Sequence, residues 1–333
     1  MSLKAPVVTL PGGRETVVVK MINPVNFGPA ILKRFMAPDV PGLETFKTSP
    51  SLCFLLEHPS GRKLVWDLGI KKDYNNYAPS ITSYLPTTNY DIQEESGVAT
   101  EDVEAVIWSH WHWDHIGDPS TFPKTTDLIV GPGFKAVMLP GAPANPESPI
   151  LEKDYVGRNL REISFEEGPQ TIRIGRFPAF DYFGDGSFYL PDTFILLGGD
   201  VCHYAGIFRP SKHLPVPASI SPHPCRPHED TALCPGSTWD ELQQSRGRAS
   251  TDTLFDATFG LDLPMVGRTV GCLQELDCDE NIFVIIAHDS TVRDGVPHFP
   301  SDLNDWKSNG WGEKVKWSFF RDLESYWDSK GLL

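Results

Sequence analysis

The sequence predicts an α/β fold with its chemistry where strands end, and three observations lead there. Residues 103–109, 193–197 and 282–287 are short apolar runs of the kind that form buried strands. Each stops at residues able to hold a metal: His110, Asp200 and His288 respectively. Helical periodicity is sparse beside these runs, and sites in α/β proteins gather at strand ends.

Taken in order, residues 17–21 read as a strand. Residues 51–57 and 63–67 read as a β-hairpin across a His58-Pro59-Ser60-Gly61 turn, ending in Asp67-Leu68-Gly69. Residues 103–109 deliver the histidine cluster. Residues 171–174, 187–190 and 193–197 are further strand candidates, the last closing on Gly198-Gly199-Asp200. Residues 206–237 carry Pro210, Pro215, Pro217, Pro222, Pro224, Pro227 and Pro235, which predicts a long irregular loop, read as a lid over the site. Residues 238–244 and 317–330 are the helix candidates, the second with Phe319, Phe320, Leu323 and Trp327 spaced for one apolar face. Residues 282–287 form the last strand and lead into His288-Asp289. With no linker or low-complexity tract, residues 1–333 are expected to form a single domain.

A chain of 333 residues with 40% apolar and 11% aromatic side chains can bury a large core. Its formal charge of −15 argues against nucleic acid or an anionic membrane as partner and leaves a small-molecule substrate. No stretch approaches the length of a membrane span. Residues 1–6 do not read as a secretory signal. The six cysteines (Cys53, Cys202, Cys225, Cys234, Cys272, Cys278) form no disulfide framework, so a cytoplasmic location is expected.

The chemistry concentrates in Ser109-His110-Trp111-His112-Trp113-Asp114-His115-Ile116-Gly117-Asp118. In an extended segment residues two apart face the same side, so His110 and His112 can share one metal. Asp114 and His115, past the turn, can reach a second. Imidazole and carboxylate donors suit two divalent ions, zinc first, with manganese, iron or cobalt as alternatives.

This HxHxDH pattern, an aspartate after an apolar strand and a late histidine together resemble the metallo-β-lactamase superfamily. The likeness runs from Asp67-Leu68-Gly69 through Gly199-Asp200 to Ala287-His288-Asp289. Phe180-Asp181-Tyr182-Phe183-Gly184-Asp185-Gly186-Ser187 and Leu197-Gly198-Gly199-Asp200-Val201-Cys202-His203 bring it close to the lactonase-like branch and its fungal hydrolases. The resemblance implies a four-layer αββα sandwich and a dinuclear metal hydrolase. It implies His110 and His112 on the first metal, Asp114, His115 and His288 on the second, and Asp200 bridging the two. A hydroxide held between the metals would attack a polarised carbonyl, and Asp114 would move a proton toward the leaving group. Opening of a lactone or lactam ring is the leading expectation. Thioester or linear-ester hydrolysis of the glyoxalase-II type is one alternative, and a non-catalytic scaffold that has lost its first metal is another.

The chain departs from that family pattern at one point. Relatives supply a third histidine to the first metal between the cluster and the bridging aspartate, whereas this chain has no histidine between His115 and His203. Loss of a turn-and-strand segment near residues 189–194 is the simplest account. Asp181 or Asp185 could then take the empty place. His203 or Tyr204 could hydrogen-bond a substrate carbonyl or simply pack beside the site. Trp111 and Trp113 fit core packing. His223, Cys225, His228 and Cys234 match no compact zinc pattern, and Cys202 reads as a buried free thiol.

Overall fold

Neighbouring side chains of a strand face opposite sides of its sheet, and here both sides of the apolar strands are covered. The computed structural model describes residues 8, 12–13, 15–85, 90–93, 97–166, 168–187 and 193–333. Its principal sheet has six strands in spatial order: β1 (Val18–Ile22), β2 (Cys53–Glu57), β3 (Lys63–Trp66), β4 (Ala105–Ile107), β5 (Asp127–Val130) and β6 (Leu160–Glu162). The first three pair antiparallel and the rest parallel, with Ile107 set between Trp66 and Ile129. An antiparallel hairpin follows, β7 (Thr171–Ile174) and β8 (Phe177–Phe180). Then β9 (Phe194–Leu197) pairs in parallel with β10 (Ile282–Ile285). The principal helices are α1 (Pro79–Thr82), α2 (Trp113–Ile116), α3 (Gly236–Ser245), α4 (Leu263–Asp277), α5 (Trp311–Lys316) and α6 (Glu324–Ser329).

Three apolar layers result, and the alternation along each strand decides which residue joins which. Leu55, Val65, Val106 and Leu128 point outward to Tyr77, Ile81, Trp108 and Phe122. Phe54, Leu56, Leu64, Ala105, Ile107 and Ile129 point inward, in one cluster with Phe283 and Ile285 of β10. Ile282 and Val284, the alternate residues of β10, join Phe194 against Val270, Leu273 and Leu276 of α4 and the C-terminal Phe319, Phe320 and Trp327. Helices, sheet, sheet, helices is the expected αββα order. The two halves are unequal, because among the described residues the second sheet proper is the pair β9–β10. Beside β9, between the six-stranded sheet, the β7–β8 hairpin and α4, lies a cavity of about 630 Å³, walled by residues such as Val19, Leu56, Ile107, Ile129, Ala179, Leu196 and Leu273.

Most expected elements are present with trimmed ends, and residues 188–190 of one expected strand lie outside the described residues. Two helical readings need correction. Residues 317–330 do not form one helix: a 3-10 segment, Ser318–Leu323, precedes α6. Phe319, Phe320, Leu323 and Trp327 are nonetheless all buried, so the expected apolar residues face inward from two successive helical segments rather than one. The longest helix, α4, was not expected. Gly267 and Gly271 dilute its pattern, although Asp262 caps it by accepting from Met265 N at 2.9 Å and Pro264 sits in its first turn. Residues 206–237 run irregularly until α3. Near their start the buried guanidinium of Arg209 donates to Asp277 on α4 (Nε–Oδ2, 2.8 Å). No helix among the described residues is long and apolar enough to cross a membrane.

Candidate metal centre

The cluster is held in place by a neighbouring strand end. Asp67, just past β3, has a left-handed backbone (φ 57°) and a fully buried side chain. A β-carbon pays to adopt that conformation, and here three polar contacts hold it. Asp67 Oδ1 accepts from Ser109 N at 2.7 Å, while Oδ2 accepts from Ser109 Oγ at 2.7 Å and His115 Nδ1 at 2.9 Å. The chain after Asp67 docks on α2: Leu68 N donates to His115 O at 2.8 Å and Gly117 N to Gly69 O at 2.9 Å. Gly117 is required there, since a β-carbon would lie 2.3 Å from Leu68 Cβ.

These contacts fix which nitrogen each imidazole presents. Ser109 Oγ, donating to Asp67, accepts from His110 Nδ1 at 3.0 Å, and His288 Nδ1 donates to the Pro50 carbonyl at 2.6 Å. With their Nδ1 protons so committed, His110, His115 and His288 all turn Nε2 inward as a lone pair, the usual arrangement behind a metal-binding histidine.

The other five residues expected as ligands gather near Asp200, His112 being the one that joins none of the tight metal-competent groups. Asp200 Oδ1 is 3.1 Å from His115 Nε2 and 3.0 Å from His288 Nε2. Its Oδ2 is 3.5 Å from His110 Nε2 and 3.9 Å from His112 Nδ1. Asp114 Oδ2 lies 3.6 Å from His288 Nε2 and 3.7 Å from His115 Nε2. Asp200 reaches this spot because Gly199 (φ 49°) turns the chain after β9, against Ser109.

The electrostatics are those of a cation site. Nε2 of His110, Nε2 of His115 and Oδ1 of Asp200 are buried without a hydrogen-bond partner. Nitrogen and carboxylate groups facing each other at about 3 Å call for a positive charge between them, a proton on the ring or a metal ion. Burial would raise Asp200, yet His288 and His115 outweigh it and hold the carboxyl well below the usual range. Burial likewise opposes charging His115, but Asp200, Asp114 and Asp67 prevail and push its pKa well up. His288 moves up as well: burial opposes it, and Asp200 overrides burial. His110 goes the other way, lowered chiefly by burial. The donors present therefore fit divalent ions, with His110, His112, Asp114, His115, Asp200 and His288 as the residues to hold them.

Other candidates fall elsewhere. Asp181 accepts from Gly184 N and Gly186 N, each at 3.0 Å, and Asp185 accepts from Ser187 N and pairs with His58, each at 2.9 Å. Both carboxylates close their own turn, so neither fills the vacant ligand place. Tyr204 donates to Asp322 Oδ2 at 2.9 Å inside the C-terminal core and is not free to meet a substrate carbonyl. Cys202 is buried, its thiol pushed up by that burial. Trp113 packs against Phe27 and Tyr77. Among the described residues, every group of side chains able to hold a metal belongs to this centre, and the set His223, Cys225, His228 and Cys234 forms none.

Three features carried no clear signal in the sequence. The supporting roles of Asp67 and Ser109 depend on a contact between distant strand ends. Phe35 and Phe259, whose rings lie 5.1 and 5.2 Å from that of His203, border the centre with apolar surface. His203 itself lies with Nε2 3.4 Å from Asp200 Oδ2.

Comparison with known proteins identifies the family. Residues 47–241 match the family model described as the metallo-beta-lactamase superfamily, more than half of the chain, and the chain belongs to that family. It is 38% identical to "Cytochrome P450 monooxygenase mpaDE'" of Penicillium brevicompactum, over 96% of this chain and 39% of that protein. It thus spans well under half the length of the first curated relatives it matches. It is 36% identical to "Gamma-lactamase FDB1" of Fusarium pseudograminearum (strain CS3096), over 96% of this chain and 85% of that protein. Among solved structures, an N-acyl homoserine lactone hydrolase with its product N-hexanoyl-L-homoserine at the catalytic metal center superposes with a TM-score of 0.51 at 16% identity, covering 88% of this chain and all of that one. The fold is that of the family, a family of metal-dependent hydrolases, and its near curated relatives are fungal. The first match spans 355 aligned positions while 96% of 333 residues is about 320, so at least about 35 positions of that relative have no counterpart here.

Proposed function

We propose that the chain is a hydrolase that opens a cyclic amide or ester, a lactam or lactone, at a dinuclear divalent-metal centre. One observation carries the reading: donors from two strand ends far apart in sequence converge on the two oxygens of Asp200, itself just past the end of a third strand. When bound, two divalent ions would supply a water-derived nucleophile near neutral pH and polarise the scissile carbonyl; zinc is the first expectation.

The chain's own residues supply the rest. Asp200 holds the two halves of the site together through its separate oxygens. Asp67 and Ser109 orient His115 and His110. Asp114, beside His115 and His288, is placed to carry a proton toward the leaving nitrogen or oxygen. Phe35 and Phe259 favour a substrate with an apolar portion next to the ring. The relative named as a gamma-lactamase makes a γ-lactam the first substrate to try. The six cysteines, none in a disulfide, accord with a reducing, cytoplasmic setting.

The test is turnover by the full chain on γ-lactams, γ-lactones, β-lactams and acyl thioesters, with zinc or manganese added. Metal-dependent opening of γ-lactams or γ-lactones supports the reading. Preference for thioesters would move it to the glyoxalase-II type, and no turnover on any member would overturn it.

A further inference from the structure

We propose that His203 is the third histidine of the first metal and replaces the ligand that the family draws from a segment absent here; this rests on the dinuclear reading above. Asp200 divides the centre by oxygen. Its Oδ1 faces Nε2 of His115 and His288, the second-metal pair. Its Oδ2 faces three nitrogens: His110 Nε2 at 3.5 Å, His112 Nδ1 at 3.9 Å and His203 Nε2 at 3.4 Å. Donors bound at about 2.1 Å to one tetrahedral ion sit roughly 3.4 Å from each other, and His110 and His203 stand at that distance from Asp200 Oδ2, with His112 farther out. These separations are also too long and too poorly aligned for hydrogen bonds, and His110 Nε2 is left without a partner.

The ring of His203 is set firmly enough to serve. It stacks on His288 (5.3 Å between centroids, 5° between planes) and is packed by Phe35 and Phe259. A ring nitrogen of His203 lies within 4.8 Å of donor atoms of both Asp200 and His288, which places it at the centre. Chain geometry explains how it arrives. His203 follows Asp200 by three residues, and the Gly198-Gly199 turn after β9 brings both side chains to the same rim. The carboxylates that could have substituted, Asp181 and Asp185, are occupied in their own turn. With His203 counted, three imidazoles and a carboxylate oxygen would be available to the first ion, as many donors as a tetrahedral site takes.

The test is metal content and affinity, read without turnover. The full chain, loaded with zinc and desalted, is measured by elemental analysis and by competition with a chromophoric chelator. The cobalt-substituted protein is followed by its visible absorption. Wild type should hold two ions. His203→Ala should hold one, with affinity for the ion of the first site at least about 10–100-fold lower and loss of part of the cobalt spectrum. His112→Ala should give the same loss, and His203→Asp, which restores an oxygen donor, should regain that ion. Circular dichroism checks that each variant is folded; should His203→Ala unfold, the His203→Gln variant, which fills the space without an imidazole, takes its place. Two ions in wild type and two of unchanged affinity in the His203 variant overturn this assignment and leave the dinuclear reading intact. Fewer than two ions in wild type overturn both.

Discussion

The rim of the sandwich and its middle are built to different standards. At the rim, Asp67, Ser109 and the Pro50 carbonyl fix the metal-site imidazoles through bonds of 2.6–3.0 Å. In the middle, the six-stranded sheet faces a second sheet whose described strands are two, and a cavity of about 630 Å³ opens beside β9, reaching from the six-stranded sheet to α4. Protein interiors are normally filled to crystal density. Ser187 and Phe194 both line that cavity. The contrast teaches that order at a strand-end site does not require a filled middle. The rim is held because the groups there are tied directly to one another.

The sharpest way to break that account is at Asp200. Asp200→Ala removes the carboxylate that faces both donor sets. Zinc content should fall from two ions to one or none, and turnover should drop by more than the ~100-fold that loss of a merely supporting contact can cost. A variant that keeps both ions and its activity would dismantle the rim as described. Next comes Asp67→Asn, which keeps size and backbone polarity but weakens the anchor of His115 and Ser109. Zinc affinity should fall about 10–100-fold, measured by chelator competition, while far-ultraviolet circular dichroism stays unchanged. Unaltered affinity would mean that Asp67 serves the turn alone.

How far the sequence reached follows the same division. The strand ends and the convergence of His110, His112, Asp114, His115, Asp200 and His288 were legible because metal chemistry demands those residue types and each group follows closely on an apolar strand. The αββα layering was legible through the family resemblance. His203 was visible only as one of two neighbours of uncertain role, because what separates it from Tyr204 is direction. The His203 ring turns to Asp200, and the Tyr204 hydroxyl turns to Asp322. Helix α4 was missed because two glycines interrupt its polar side while Val266, Val270, Leu273 and Leu276 keep an apolar one. The cavity was not legible at all. Packing is a property of summed volumes across layers, and no local pattern records it.

The middle can be sharpened by comparing two leucines. Leu128 on β5 is fully buried in the outer layer, whereas Leu196 on β9 lines the cavity. Leu→Ala in a close-packed site costs about 2–5 kcal/mol, with the cost set by the packing removed and by how far the site can relax. Leu128→Ala should fall near the top of that range, and Leu196→Ala at about 2 kcal/mol or less, since part of its surface already faces empty space. Chemical denaturation of the metal-loaded protein measures both. Equal costs would show that the inter-sheet space is closed in solution.

The smallest expected effect probes the same space from the opposite direction. Ala179 on β8 lines the cavity, and Ala179→Leu adds three carbon atoms toward it. In a filled core such an insertion costs about 1–3 kcal/mol through strain. In an open apolar cavity the added groups gain burial instead, and cavity filling commonly stabilises by about 0.5–2 kcal/mol. The sign therefore decides between a packed and an unpacked middle, independent of the size. A raised denaturation midpoint with unchanged metal content would place the gain between the sheets and leave the rim untouched. A lowered midpoint would mean that the sheets already meet.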